Sequence, residues 1–113
     1  KEQKLYQHVI QHATKWAGPD QLMFVVGATR PESFELIRKH APDHFLLVPG
    51  IGAQGGNLEE VCRYGLNKDC GLLVNASRSI IYASAKEDFA ERAREEAMKI
   101  KDEMAIQLEK INF

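Results

Sequence analysis

Leu5, Val9, Ala13 and Trp16 recur at helical spacing across residues 2–17, and Gly18-Pro19 ends that helix. LMFVVGA (22–28) breaks the rhythm, being continuously apolar, rich in β-formers and too short for a helix. Strands that are apolar on both faces belong to parallel sheets covered by helices. Thr29-Arg30-Pro31-Glu32 predicts the next helix start, with Thr29 as cap, Glu32 closing a capping box and Pro31 in the first turn. Phe34, Ile37 and Arg38 carry that helix to about His40, and Ala41-Pro42-Asp43 is a turn.

The pattern then repeats. HFLLV (44–48) reads as strand, PGIGAQGG as loop, and Asn57-Leu58-Glu59-Glu60 as a second capping box opening a helix that runs to about Tyr64 and stops at Gly65. GLLVN (71–75) is a third short strand, and ASRSIIYAS is a loop with room for one helical turn. Ser84-Ala85-Lys86-Glu87 is a third capping box, before a long helix with Phe89, Ala93, Ala97, Ile100, Met104, Leu108 and Ile111 on one stripe. The predicted order, α-βα-βα-βα, implies right-handed parallel βαβ units. Three strands are too few for a doubly wound sheet or a closed barrel. By strand count the chain is a piece of a larger parallel-sheet domain, or one part of an oligomer that completes itself.

Composition adds exclusions. A chain of 113 residues makes one modest domain, and 44% hydrophobic with 27% charged residues is ordinary for a globular protein. A net charge of -1 offers no case for nucleic acid or an anionic membrane surface. No apolar run approaches the ~20 residues of a bilayer span, and the polar start KEQKLYQHV does not read as a signal peptide. Cys62 and Cys70 form no CxxC and no disulfide framework, so reduced thiols in a cytoplasmic protein are expected.

The loop VPGIGAQGGN (48–57) sets Gly50, Gly52 and Gly55 on a G-x-G-x-x-G spacing. A dinucleotide site also needs an acidic residue at the end of the next strand; here that strand ends in Asn75, and Asp69 lies at its wrong end. The glycines could simply supply positive φ in a turn. They also lead toward a helix N-terminus, Gln54 adds an amide donor, and Ser77-Arg78 after the following strand add a hydroxyl and a guanidinium fork suited to a phosphate. Many TIM barrels build a phosphate site on two successive strand ends in this way. The residues alone leave a phosphomonoester cradle and a plain turn both open.

VVGATRPE, LLVPGIGAQGGN and LLVNASRSIIYAS, in this order and at barrel spacing, resemble the C-terminal part of orotidine 5′-phosphate decarboxylase, in the bacterial branch whose loop reads PGxGAQGG. The likeness runs from Leu22 to Ser84, and the last helix suits the family's final barrel helix. It implies that residues 1–113 are a C-terminal segment of a (β/α)8 barrel, roughly strands 6 to 8 with their helices and the preceding helix. It implies a carboxy-lyase of pyrimidine synthesis that turns orotidine monophosphate into uridine monophosphate without metal or organic cofactor. Carried over by motif, Gln54 and Gly55 would meet the substrate phosphate from a closing loop and Arg78 would bind it with Ser77 nearby. Pro49 would lie against the pyrimidine, while Gly52 and Gly56 would let the loop backbone approach and move.

The family's catalytic Asp-x-Lys-x-x-Asp is missing. None of Asp20, Asp43, Asp69, Asp88 and Asp102 has Lys two positions on, and Lys99-Ile100-Lys101-Asp102 lies on the long helix as surface charge. No catalytic residue is therefore expected in this chain, which alone should be inactive and should depend on the missing part of the barrel or form a homo-oligomer. Alternatives are a self-associating, non-catalytic partial-barrel module or another sugar-phosphate barrel enzyme. His8 and His12 at i, i+4 lack a third ligand, so no metal is expected. His40 and His44 read as surface residues, Cys62 and Cys70 as packing, and Tyr82 as packed beside the last helix.

Overall fold

The computed structural model describes residues 2–52 and 57–111. Along it run α1 (Leu5–Trp16), β1 (Phe24–Val25), α2 (Ser33–His40), β2 (Leu46–Val48), α3 (Leu58–Gly65), β3 (Leu72–Val74), the single turn α4 (Arg78–Ile81) and α5 (Phe89–Lys110). The strands are parallel in the order β1-β2-β3, with Leu46 between Phe24 and Leu72. This is the predicted alternation. Among the described residues no helix is long and apolar enough to cross a membrane.

Side-chain alternation along the strands decides what the sheet buries. Leu46 and Val48 are wholly buried with Phe34 of α2 and Val61 of α3, and Ile10 of α1 and Leu72 of β3 join the same core. Ile100 and Met104 of α5 pack against it from outside, and Met104 Sδ lies 3.5 Å from Cys62 Sγ. The other face of the sheet is bare: Val25 is 71% and Leu73 47% exposed, with Leu47 half-buried. The expectation of strands covered on both faces is thus met on one face only.

Several local expectations are corrected. Helix α2 starts at Ser33 with Glu32 at the cap and no side-chain cap bond, not at Thr29. A residue before proline is pushed out of the helical region, so Arg30 cannot open a helix into Pro31. The Arg30 carbonyl instead accepts the Ser33 hydroxyl at 2.7 Å. Asn57 does cap α3, accepting the Glu60 N–H at 3.1 Å. Ser84 does not cap α5; its hydroxyl accepts from the Lys86 N–H at 3.1 Å and donates to Asp88 at 2.6 Å, leaving Asp88 at the cap position. His44 is buried, its ring 5.5 Å from that of Phe24, because it leads into the central strand. Tyr82 is 76% exposed, not packed beside the last helix as expected. Phe89 is 60% exposed, so only part of the α5 stripe is covered.

One guanidinium gathers the ends of four segments. Arg38 donates from Nε to the Gly65 carbonyl at 2.7 Å, from Nη1 to Ala41 at 3.0 Å and His44 at 2.6 Å, and from Nη2 to Gly71 at 2.9 Å. These carbonyls end α2, lead into β2, end α3 and lead into β3. Helix C-termini leave carbonyls unpaired and partly negative, and a planar five-donor fork can satisfy several at once. Gly71 fits here because its φ is +73° and a Cβ would collide with Arg38 and Asn67. Burial pulls the Arg38 pKa down, while Asp43 acts the other way.

Arg38→Met is expected to cost at least about 3 kcal/mol of stability, since charged hydrogen bonds contribute about 1.5–3 kcal/mol each. Arg38→Lys should recover only part of this, because an ammonium lacks the fork. Urea melts of the three proteins check it. Burial, with Cys70 and Glu103 adding to it, pushes the Cys62 thiol up to about 11. The folded state then holds this proton while the unfolded thiol releases it from about pH 8.5 upward, so stability falls as pH rises from there toward 11. Cys62→Ala should flatten that slope in melts taken at several alkaline pH values.

Candidate functional site

The loop and the arginine come together at the C-terminal ends of β2 and β3. Val48 faces Val74 in the ladder, and the Asn75 N–H donates to the Val48 carbonyl at 2.9 Å, so Pro49 and Asn75 leave the sheet side by side. Gly50 and Gly52 have φ of +88° and +84°, the left-handed region that glycine enters without strain. Ile51 between them is buried and pins the loop's base to the core. After β3 the chain turns into α4, where the Ser77 carbonyl accepts the Ile80 and Ile81 N–H groups at 3.1 and 2.8 Å. That turn presents Arg78 to solvent. Among the described residues the Arg78 guanidinium has no ion pair.

The two strand ends touch through a residue that sequence reasoning missed. A Cβ on Gly52 would lie 3.4 Å from Ser79 Oγ, so the glycine loop packs on the first turn of α4. The Ser79 hydroxyl oxygen is buried and has no partner among the described residues. Its signal in the sequence was only its place next to Arg78. Pro49 is half-buried at the loop's base, and Ser77 is exposed with its hydroxyl 3.5 Å from Asn75 Nδ2. Gln54, Gly55 and Gly56 lie outside the described residues.

Electrostatics shift the weight from the helix end to the arginine. Glu59 and Glu60 occupy the first turn of α3, where they oppose an incoming anion, and Asn57 already takes one of the free N–H groups. The cleft of about 430 Å³ between this turn, Ser79 and α5 carries Glu59, Glu96 and Glu103 against Lys99 alone. Such a lining repels phosphate. Arg78, held at the neighbouring strand end, is the group able to grip one.

Known proteins resemble the chain in sequence and in fold. No family model matches the chain. Orotidine 5′-phosphate decarboxylase of Bacteroides fragilis is 54% identical over 109 residues, which are 96% of this chain and 40% of that protein. The decarboxylase of Flavobacterium johnsoniae is 60% identical over 102 residues, 90% of this chain and 37% of that one. Among solved structures, Leishmania donovani OMP decarboxylase superposes with a TM-score of 0.72 at 33% identity, over 96% of this chain and 40% of its own. Leishmania donovani UMP synthase gives 0.72 at 36% identity, over 89% and 22%. The chain spans about two-fifths of the length of the curated relatives it matches. In sequence and in fold, the chain is similar to one segment of these orotidine 5′-phosphate decarboxylases.

Proposed function

We propose that this chain is the substrate-phosphate end of an orotidine 5′-phosphate decarboxylase. The observation that carries the reading is the packing of Gly52 on Ser79, which sets the glycine loop beside the exposed Arg78 at two adjacent strand ends. Arg78 grips the 5′-phosphate of a nucleoside monophosphate, with Ser77 alongside. Gln54 and Gly55 reach the same phosphate from the loop, and Pro49 lies under the pyrimidine. Binding energy gathered at this remote group lowers the barrier at the base, and loop closure excludes water. The lysine and aspartates that act on the carboxylate come from the rest of the barrel, so the chain alone does not decarboxylate. The free thiols Cys62 and Cys70 support a reducing, cytoplasmic setting.

The test uses this chain joined to the part of the Bacteroides fragilis enzyme that it does not match. Arg78→Ala should weaken uridine monophosphate binding by about 1.5–3 kcal/mol, roughly 10- to 150-fold, and leave uridine binding nearly unchanged. Equal loss for both ligands would refute the assignment.

A further inference from the structure

Ser79 keeps a hydroxyl oxygen buried and, among the described residues, unpartnered where the two strand ends meet. A buried hydroxyl without a hydrogen bond is costly, and alanine would fill nearly the same space without that cost. The turn α4 does not need it. The Ser77 carbonyl accepts the Ile80 and Ile81 N–H groups, and the Arg78 carbonyl accepts the Tyr82 N–H at 3.0 Å. The hydroxyl is unused in the fold and free to bond in another state of the site.

Its surroundings narrow the choice of partner. The cleft beside it is lined by Asn57, Glu59, Glu96, Lys99 and Glu103. Most of these are engaged: Asn57 accepts the Glu60 N–H at 3.1 Å, Lys99 holds Glu96 at 2.7 Å, and Lys110 lies 3.5 Å from Glu59. Glu103 is the rival partner, and a bond to it would be blind to any ligand at the strand ends. On the loop side stands Gly52, where a Cβ would lie 3.4 Å from Ser79 Oγ and 3.6 Å from Ser79 Cβ. Gly52 is exposed and directly follows Ile51, which is buried in the core. It is the first residue past the loop's anchored base, and its φ of +84° is one that glycine adjusts without strain.

We propose that Ser79 is a positioning residue for the phosphate site: with a phosphomonoester on Arg78, its hydroxyl donates to the Gly52 carbonyl and fixes the base of the glycine loop beside the anion. The inference rests on the phosphate reading given above and adds to it a residue that does not touch the ligand. Arg78 and Ser79 are consecutive, so a pull on the guanidinium shifts the turn that carries the hydroxyl. Gly52 has no side chain to hold the two segments apart. A bond made only in the liganded state adds to the affinity for that ligand, so anion binding and the setting of Gly52 favour one another.

The chain joined to the unmatched part of the Bacteroides fragilis enzyme is compared with its Ser79→Ala and Ser79→Cys variants. Calorimetry measures binding of uridine monophosphate and of uridine, and thermal melts are taken without ligand. Ser79→Ala removes the hydroxyl, whereas Ser79→Cys keeps its shape but leaves only a weak donor. Both variants should bind uridine monophosphate roughly 3- to 10-fold more weakly, as loss of one neutral hydrogen bond dictates. Both should bind uridine as before and melt, without ligand, no lower than the parent. Added to Arg78→Ala, Ser79→Ala should have no further effect, since no anion is then held for it to serve. Equal weakening of both ligands, or full uridine monophosphate binding by Ser79→Cys, overturns the proposal. A lower ligand-free melting temperature overturns it too, since the hydroxyl would then already be bonded, to Glu103 or elsewhere. If Arg78→Ala discriminates between the two ligands and Ser79→Ala does not, this proposal fails alone; if neither does, the phosphate reading falls with it.

Discussion

A sheet covered on one face governs this molecule. Leu46 and Val48 of the central strand are buried under α1, α2 and α3, whereas Val25 and Leu73 stand exposed on the reverse. Both sets are apolar because in a closed barrel one set meets the helices and the other fills the interior. The chain therefore owns a complete outer core and the surface of an inner one that it cannot fill. Its exposed Val25, Leu73 and Leu5 are features of a part rather than faults of a whole.

The two ends of the sheet do different work. At the N-terminal ends of the strands, Arg38 ties four carbonyls together. At the C-terminal ends, Pro49, Gly50 and Gly52 leave β2 while Asn75 to Arg78 leave β3, and these carry the candidate site. The Arg38 knot and the candidate site are separated along the strand axis, as in barrels whose active sites sit at the C-terminal face. The Arg38 knot joins the segments that lead into β2 and β3, at the end of the sheet opposite the candidate site.

Much of this was legible in the sequence. Alternation of short apolar runs with capped, periodic segments gave the element order, because strand and helix periods differ and the Asn57 cap is local chemistry. Loop and arginine were legible as residue types at two successive strand ends. What escaped reading depends on contacts between distant segments. Arg38 read only as a residue carrying α2 toward its end, since its partners at Gly65 and Gly71 lie far along the chain. His44 read as a surface residue, but its ring lies against Phe24. Thr29 and Ser84 matched capping patterns that lost to competing local interactions, the constraint before Pro31 and the pull of Asp88. Gln54 and Gly55, named from the motif, lie outside the described residues.

Amide hydrogen exchange on the isolated protein tests most directly whether the core on one face of the sheet is packed while β1 is left open. Val26 donates to Leu47, Leu46 to Gly71 and Asn75 to Val48, whereas Val25 faces the open edge. The expected result is slow exchange at Leu46, Val26 and Asn75, with Val25 exchanging near the rate of an unprotected amide. Protection at Val25 matching that of Val26 would mean that the edge is already covered, and would contradict the account.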